Sequence, residues 1–470
     1  MAIQHCLEIK KQRYHYDAII IGTGIGGAAI GALLAHAGWK ILILEKNKIV
    51  GGRCTTYKRY GFKVDLGWHN FCLGDKGPHE DICRQVGMPN AIEWLSTVNK
   101  GRLQIGDEVM DYNRKTMINV LPENERDNMR KLFASAMQLS NQELDKLYYV
   151  PLAKWVDTFT KNRLAHTLID SLVSQYFCVP SSVASAAEFI KCFRDVVTYR
   201  GMAYPKGGNI TVPKTYITAI EKYGGEVRLN AKVKKVIIKD KTAVGVRLDD
   251  SSEFRAPVII SNAGIKATVA DLVGEEHFPN DYVQRIQKLT YAVLPVLMKV
   301  ILKERITDDV IIIYLPDENS PTLKVTEEMW YGKIPEWVAG LIFSPTNLDP
   351  SPGPPEKQLI TFFSVCPPNQ DWNEWEKVLL NNFYRVYPQA KGKVWKHFLE
   401  TYELVDGFAG EIGNIIGVGQ TVDQVHERRP SVTSPIKGLY YCCADVGSHG
   451  IGTELAANSA KELFAILISQ

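Results

Sequence analysis

The feature that most constrains the fold of this chain is a glycine-rich turn between two short apolar runs. The first run, residues 18–21, leads into the turn Gly-Thr-Gly-Ile-Gly-Gly at 22–27 and a small-residue stretch at 28–36. The second run, residues 41–44, ends in Glu45. Short apolar, branched runs of this kind are typical of buried parallel strands. The order strand, G-x-G-x-x-G turn, helix, strand and acid predicts a dinucleotide-binding βαβ unit.

The glycines of the turn have separate physical roles in such a unit. Gly22 allows a tight turn, Gly24 lets a pyrophosphate approach the backbone, and Gly27 lets the helix pack closely on the strand. The start of the helix then offers free N–H groups and a partial positive charge to the phosphates. A carboxylate at Glu45 can accept hydrogen bonds from ribose hydroxyls, and no arginine replaces it to favour a 2′-phosphate. The candidate dinucleotide-binding residues are Gly22, Gly24, Ile25, Gly26, Gly27, Glu45 and Lys46.

A second glycine segment indicates which dinucleotide binds. A glycine pair and an arginine stand at 51–53, and Asp-Leu-Gly-Trp-His follows at 65–69. Here the sequence resembles the flavoproteins typified by amine oxidases, protoporphyrinogen oxidase and phytoene desaturase. The resemblance implies FAD rather than NAD, with the first segment continuing the cofactor cradle and the second passing beside the flavin. The residues implicated are Gly51, Gly52, Arg53, Gly67, Trp68 and His69.

The middle of the chain returns to the cofactor domain. Short apolar runs separated by polar turns over 232–254 predict a β-meander, and another apolar strand follows at 258–261. In the resembled family, the residue that matches Val233 reaches the adenine through its backbone. The same resemblance implies that Asn262 and Ala263 lie near the pyrophosphate.

The end of the chain resembles the closing motif of phytoene desaturase-related proteins. The resemblance implies that Asp445 meets the ribityl chain and that Gly452 and Thr453 face the flavin pyrimidine. The family places glycine before or beside this acid, whereas Cys443 and Ala444 stand here.

The resemblance and the strand pattern together predict an α/β chain with a Rossmann-like, glutathione reductase-like FAD domain and a discontinuous substrate domain of antiparallel sheet plus helices. The FAD domain is expected to comprise 14–75, 204–275 and 428–470, and the substrate domain 76–203 and 276–427. Its helical part is expected at 126–200 and its sheet at 290–365. Strands are predicted at Ala292–Lys303, Val310–Leu315, Val338–Ser344 and Gln358–Val365, and helices at Trp372–Tyr387 and Lys393–Phe398.

Composition excludes several classes of protein. A net charge of +3 over 470 residues gives no strongly basic surface for nucleic acid. The nine cysteines show no C-x-x-C spacing, so we expect reduced thiols in a cytoplasmic protein. No apolar run is long enough to span a bilayer, and no His-rich or carboxylate-rich motif indicates a metal.

The leading hypothesis is an FAD-dependent oxidoreductase of the phytoene desaturase type, which desaturates or saturates a C–C bond of a lipophilic, isoprenoid or carotenoid-like substrate. The electron acceptor is left open. One alternative is an amine oxidase, which needs an aromatic cage to which Tyr440 or Tyr441 would contribute. The others are a redox-neutral isomerase of the carotenoid type and a non-enzymatic relative that extracts prenylated GTPases.

Catalytic side chains are poorly marked in the sequence. The candidates are His69 and Asn70, beside the expected flavin segment, and His449 before the last helix. A structural role is an alternative for each histidine.

A membrane-facing surface is also predicted, because a lipophilic substrate dissolves in the bilayer. Apolar residues over 147–155 stand beside Lys154 and Lys161 and suit peripheral contact with the inner face of the membrane. The alternative is that these apolar residues are buried between the domains.

Overall fold

The computed structural model describes residues 15–67, 70–292, 295–315, 334, 336–366, 371–409, 416–447 and 449–469. Its strands are β1 (Ala18–Ile21), β2 (Ile41–Leu44), β3 (Thr56–Arg59), β4 (Phe62–Asp65), β5 (Trp94–Ser96), β6 (Gly101–Ile105), β7 (Glu108–Asp111), β8 (Ala203–Pro205), β9 (Glu226–Arg228), β10 (Val233–Lys239), β11 (Thr242–Leu248), β12 (Glu253–Arg255), β13 (Val258–Ser261), β14 (Pro295–Leu302), β15 (Ile311–Leu315), β16 (Gly340–Phe343), β17 (Gln358–Val365), β18 (Val394–Glu400) and β19 (Leu439–Tyr441). Its α-helices are Ile25–His36, Pro78–Gln85, Arg114–Asn119, Glu123–Gln138, Asn141–Asp145, Leu152–Val156, Arg163–Phe177, Ala186–Tyr199, Thr211–Lys222, Ile265–Ala267, Asn280–Gln287, Trp372–Val386, Tyr402–Ala409 and Thr453–Ile468.

A five-stranded parallel sheet in the order β19-β13-β1-β2-β9 forms the centre of the cofactor domain. Every residue of β1 and β2 is buried, as expected for strands covered on both faces. The Ile25–His36 helix packs against the Thr211–Lys222 and Thr453–Ile468 helices. The three chain segments predicted for this domain all contribute strands to this one sheet. The predicted meander is present as the antiparallel sheet β10-β11-β12.

A seven-stranded sheet in the order β18-β14-β17-β16-β15-β6-β7 forms the second domain. The four strands predicted between 292 and 365 are confirmed as β14 to β17. The sheet is not wholly antiparallel, however, because β15 pairs in parallel with β6. Strands β6 and β7 were not expected from the sequence.

One helix prediction in this domain is wrong. The stretch predicted as a helix at Lys393–Phe398 lies in strand β18, which pairs with β14 along the sheet edge. A short apolar run is compatible with both a helix and a strand. Here the run pairs with the edge of β14 and is therefore a strand.

The helical layer confirms helices near 126–200 but not the surface expected there. Tyr148, Leu152 and Trp155 are 4%, 0% and 7% exposed and belong to the core of this layer. Tyr149 remains exposed, with the guanidinium of Arg428 3.8 Å from its ring centre. Because these side chains fill a core, the 147–155 stretch does not form the interfacial patch that the sequence suggested. In the part of the chain that the structure describes, no helix has the length and apolar character needed to cross a bilayer.

Candidate active site

A cavity of about 760 Å³ lies between the cofactor domain and the seven-stranded sheet. Most of the predicted cofactor-binding residues meet at its wall, although they come from three separate parts of the chain. Those that line it are Gly22, Gly24, Ile25, Gly26, Glu45, Lys46, Gly51, Gly52, Arg53, Gly67, Val233, Asn262, Ala263, Gly452 and Thr453.

The glycine turn leaves the start of its helix open to a ligand. The Ile25–His36 helix begins after Gly24, has no side-chain cap and has no acidic residue in its first turn. Its leading N–H groups can therefore bind an anion. A Cβ at Gly24 would lie 2.5 Å from the side-chain oxygen of Asn262, so a larger residue there would require Asn262 to move. Gly27 lies behind the cavity wall, where a Cβ would approach the carbonyl oxygen of Gly22 to 2.2 Å.

Glu45 presents a buried, oriented carboxylate to the same cavity. One oxygen accepts hydrogen bonds from the backbone N–H and hydroxyl of Thr23, at 2.9 and 2.6 Å. The other accepts the N–H of Asn47 at 2.9 Å. Each carboxylate oxygen can accept more than one hydrogen bond, so this fixed acid is able to accept from ribose hydroxyls as well.

Two cations flank this wall of the cavity. Arg53 follows Gly51 and Gly52, whose left-handed φ angles of 107° and 54° form the second glycine segment. The ammonium of Lys46 donates to the carbonyl of Gly407 at 3.0 Å, and burial lowers the pKa of this lysine. An uncapped helix start, a glycine cradle, a buried acid and two cations together fit a dinucleotide such as FAD.

A buried ion pair supports the wall at Gly67. The ammonium of Lys299 donates to the carbonyls of Asp65 and Gly67, at 2.9 and 2.8 Å, and lies 3.3 Å from the carboxylate of Glu400. Glu400 accepts the N–H of Gly67 at 2.9 Å and the hydroxyl of Tyr57. The seven-stranded sheet is thereby fastened to the segment that the resemblance places beside the flavin. The signal for Lys299 was present in the sequence, as a lone charge inside an apolar strand.

Asp445 lies behind the wall rather than in it. Its two carboxylate oxygens accept the backbone N–H groups of Ile265 and Val418, at 2.9 and 3.0 Å. The neighbouring Ala444 lines the cavity instead. Contact of Asp445 with the ribityl chain stays a prediction that these contacts do not support.

The three catalytic candidates fall in different places. Trp68 and His69 lie outside the described residues, whereas Asn70 lines the cavity and accepts the hydroxyl of Thr97 at 3.1 Å. His449 is not among the lining residues. Its two ring nitrogens lie 2.7 Å from Glu188 and 3.0 Å from Asp195.

The charge of His449 follows from these two contacts. Burial disfavours the charged ring, but the two carboxylates outweigh it and raise the pKa of His449 to about 9. These contacts favour a structural role that joins the Ala186–Tyr199 helix to the loop before the last helix.

Glu454 is a cavity residue that the sequence analysis did not single out. It is 2% exposed, directly follows Gly452 and Thr453, and accepts the N–H of Leu73 at 3.3 Å. Burial raises the pKa of Glu454 to about 7. A carboxyl group with this pKa can exchange a proton near neutrality. An acid directly after a glycine-rich helix start was the available signal.

The opposite wall of the cavity is mainly apolar. It is formed by side chains from β14 to β17 and the loops beside them, with Tyr176 on the helical side. Neither Tyr440 nor Tyr441 lines the cavity, and Tyr441 is fully buried elsewhere. The lining residues of the sheet side are Pro295, Leu297, Ile313, Tyr314, Leu315, Ala339, Gly340, Leu341, Phe363, Ser364 and Val365.

Comparison with known proteins places the chain among flavoproteins. The family model described as flavin containing amine oxidoreductase matches residues 25–361. The chain is 28% identical over 303 residues to all-trans-retinol 13,14-reductase of Danio rerio, covering 55% of this chain and 49% of the relative. It is also 28% identical over 401 residues to the chloroplastic prolycopene isomerase of Daucus carota, covering 76% of this chain and 62% of the relative.

The matched regions span about half to three-fifths of these relatives' own length. Among solved structures, an oxidoreductase from Methanosarcina mazei superimposes with a TM-score of 0.76 at 18% identity, covering 95% of this chain and 99% of that one. The fold is therefore shared across nearly the whole chain. The family expected from the glycine and closing motifs is confirmed.

Proposed function

This chain belongs to the flavin-containing amine oxidoreductase family, and we propose that it is an FAD-dependent oxidoreductase that desaturates or saturates a C–C bond of a lipophilic, isoprenoid or carotenoid-like substrate. The observation that carries the proposal is the two-sided cavity, with a cofactor cradle on one side and apolar sheet residues on the other. Such a wall binds a hydrocarbon by the hydrophobic effect. The names of the retinol reductase and prolycopene isomerase relatives agree with a polyene substrate.

Different residues of the chain bind different parts of the cofactor. When bound, FAD supplies a hydride acceptor or donor for the reaction. We assign the phosphates to the uncapped start of the Ile25–His36 helix and to Arg53, and the ribose hydroxyls to Glu45. The N–H groups at the start of the Thr453–Ile468 helix can stabilise negative charge, which suits the flavin ring.

We assign proton exchange to Glu454. Adding or removing hydrogen across a C–C bond moves one proton as well as a hydride, so a proton-exchanging group is needed. Among the described carboxyl groups that line the cavity, Glu45 is tied to Thr23, Asp249 lies 3.3 Å from the ammonium of Lys232, and Asp271 is exposed to solvent. Glu454 is instead buried at the helix start, and burial holds its pKa near 7.

A redox-neutral isomerase is the second candidate. The prolycopene isomerase match covers more of this chain than the retinol reductase match, 76% against 55%. An amine oxidase is less well supported, since the two tyrosines considered for its aromatic cage do not line the cavity.

A buried, disulfide-free state of the eight described cysteines supports a reducing, cytoplasmic setting.

The proposal is tested first on the purified protein. We expect a yellow holoprotein whose absorbance spectrum is that of a flavin, and acid precipitation is expected to release FAD to the supernatant. Mass spectrometry of organic extracts is expected to find a copurified lipophilic polyene. A colourless protein that cannot be reconstituted with FAD would remove the flavoenzyme proposal. A polar amine in place of the polyene would favour the amine oxidase alternative.

A further inference from the structure

A hairpin and a neighbouring edge strand bring cations and aromatic rings together on the surface. We define the basic aromatic patch by its members, Lys58, Arg59, Tyr60, Lys63, Lys357, Trp395 and Lys396. We infer that this patch docks the protein onto an anionic lipid bilayer. The inference uses a different surface from the 147–155 stretch, and it does not depend on which C–C reaction the enzyme performs.

The hairpin β3–β4 carries features that cost stability in the absence of a partner. Lys58 and Lys63 lie directly opposite each other across the two strands, where like charges repel. Tyr60 at the tip has a left-handed φ of 49°, an unfavourable conformation for a bulky residue, and is followed by Gly61 at 80°. Its ring packs against Phe398, with the ring centres 6.0 Å apart, and yet Tyr60 remains 43% exposed.

A bulge in β18 places Trp395 beside Tyr60 at the hairpin tip. Ile301 pairs with Lys396 while Leu302 pairs with Val394, so Trp395 is the extra residue. The ring centres of Trp395 and Tyr60 lie 6.2 Å apart. Trp395 keeps 37% of its surface exposed. The bulge therefore adds a second large aromatic side chain to the exposed surface.

Three cations of the patch, Arg59, Lys357 and Lys396, lie beside these two rings. The ammonium of Lys357 lies 3.8 Å from the ring centre of Trp395, and that of Lys396 lies 5.9 Å from that of Tyr60. Within the residues that the structure describes, none of the five patch cations forms an ion pair with a carboxylate. Neighbouring Lys393 and His397 do pair, with Glu304 and Glu376. Lys58, Lys63 and Lys396 are exposed, whereas Arg59 and Lys357 are half-buried against aromatic rings.

This chemistry matches an anionic membrane surface better than a flat protein face. Tryptophan and tyrosine prefer the headgroup region, where an apolar ring and a polar edge are both satisfied. Each lysine or arginine near an anionic leaflet adds attraction that falls off within a Debye length. A lipid surface would also relieve the repulsion between Lys58 and Lys63.

Vesicle flotation of the holoprotein tests the inference. We expect the wild type to float with phosphatidylcholine vesicles that contain phosphatidylglycerol, and to be released by salt. Lys58→Glu/Lys63→Glu/Lys396→Glu is expected to weaken binding on the order of a hundredfold. The control Lys131→Glu/Lys146→Glu/Lys377→Glu changes three exposed lysines outside the patch to give the same net charge, and it is expected to bind as the wild type does.

A second variant separates binding from folding. Tyr60→Asn places Asn-Gly at the hairpin tip, the pair that favours such a turn, so stability is expected to stay equal or rise while vesicle binding falls. FAD content measured on the same samples shows whether the cofactor site is intact. The inference is overturned if the wild type fails to float with anionic vesicles. Equal loss in the two triple variants, or binding to an oligonucleotide but not to vesicles, would overturn it as well.

Discussion

Lys299 and Glu400 form an ion pair at 3.3 Å in which the two residues are 1% and 0% exposed. The pair belongs to the seven-stranded sheet, yet the lysine donates to two carbonyls of the Asp65–Gly67 segment in the cofactor domain. The two domains are therefore joined by charged groups at the cavity wall itself.

Lys299→Met is expected to destabilise the holoprotein by about 3–5 kcal/mol, because it leaves the Glu400 carboxylate buried without its cation. Urea unfolding measures this change. The control Lys303→Met removes an exposed lysine near the same strand and is expected to change stability by less than about 0.5 kcal/mol. The double variant Lys299→Met/Glu400→Gln should lose less stability than the sum of the losses in the two single variants. Strict additivity would show that the two groups do not act as a pair.

Stability is expected to fall between about pH 6.5 and pH 9 because of His449. Its pKa is raised in the folded protein to about 9, so the folded state binds the proton more tightly than the unfolded state. This contribution is complete below the unfolded value and is lost as pH rises through the folded value. Denaturation at several pH values is expected to show a smaller fall for His449→Gln. The control His36→Gln changes an exposed histidine that forms no ion pair among the described residues and should keep the wild-type slope, and equal slopes in all three proteins would contradict the account.

Glu454→Gln is expected to lower turnover by about 10²–10⁴-fold while FAD stays bound. Saturation needs the protonated acid, so its rate should fall as pH rises through about 7, the pKa to which burial raises Glu454. Desaturation needs the carboxylate and should show the opposite slope. In the variant, kcat is expected to lose its dependence on pH near 7. Asp271→Asn changes another cavity-lining carboxyl group and serves as the control. An unchanged profile in Glu454→Gln would exclude the assignment.

Gly24→Val and Glu45→Ala are both expected to lose FAD, by different routes. The valine places a side chain where the dinucleotide must approach and where Asn262 already lies. The alanine removes a charged acceptor, a loss of about 1.5–3 kcal/mol in binding. Equilibrium dialysis of the apoprotein with FAD measures both. Gly407→Ala has open space around its new Cβ and should bind normally. Wild-type affinity in either of the first two variants would show that the glycine turn has been misplaced.

Local sequence patterns predicted the cofactor domain because each of its strands and glycine turns is formed by consecutive residues. The parallel strands β1 and β2 are unbroken apolar runs, β13 is apolar up to Ser261, and the turn glycines have fixed spacing. The pairing of Lys299 with Glu400 could not be read this way, since about a hundred residues separate them and only the sheet aligns β14 with β18. The same holds for strand β18 itself, whose short run was mistaken for a helix. Glu454 likewise accepts the backbone N–H of Leu73, a contact between residues far apart in the chain.

A single-turnover experiment tests the central claim most directly. The holoprotein is reduced without oxygen and mixed with a lipophilic polyene of the retinol or carotenoid class, and flavin absorbance and product mass are followed together. The account predicts that the absorbance of oxidised flavin returns while the product gains two hydrogens per flavin, with the reverse change for oxidised protein and a saturated substrate. Isomerised product with no net change in flavin oxidation state would favour the isomerase. Flavin that is reoxidised only by an added imine, never by any polyene, would contradict the account.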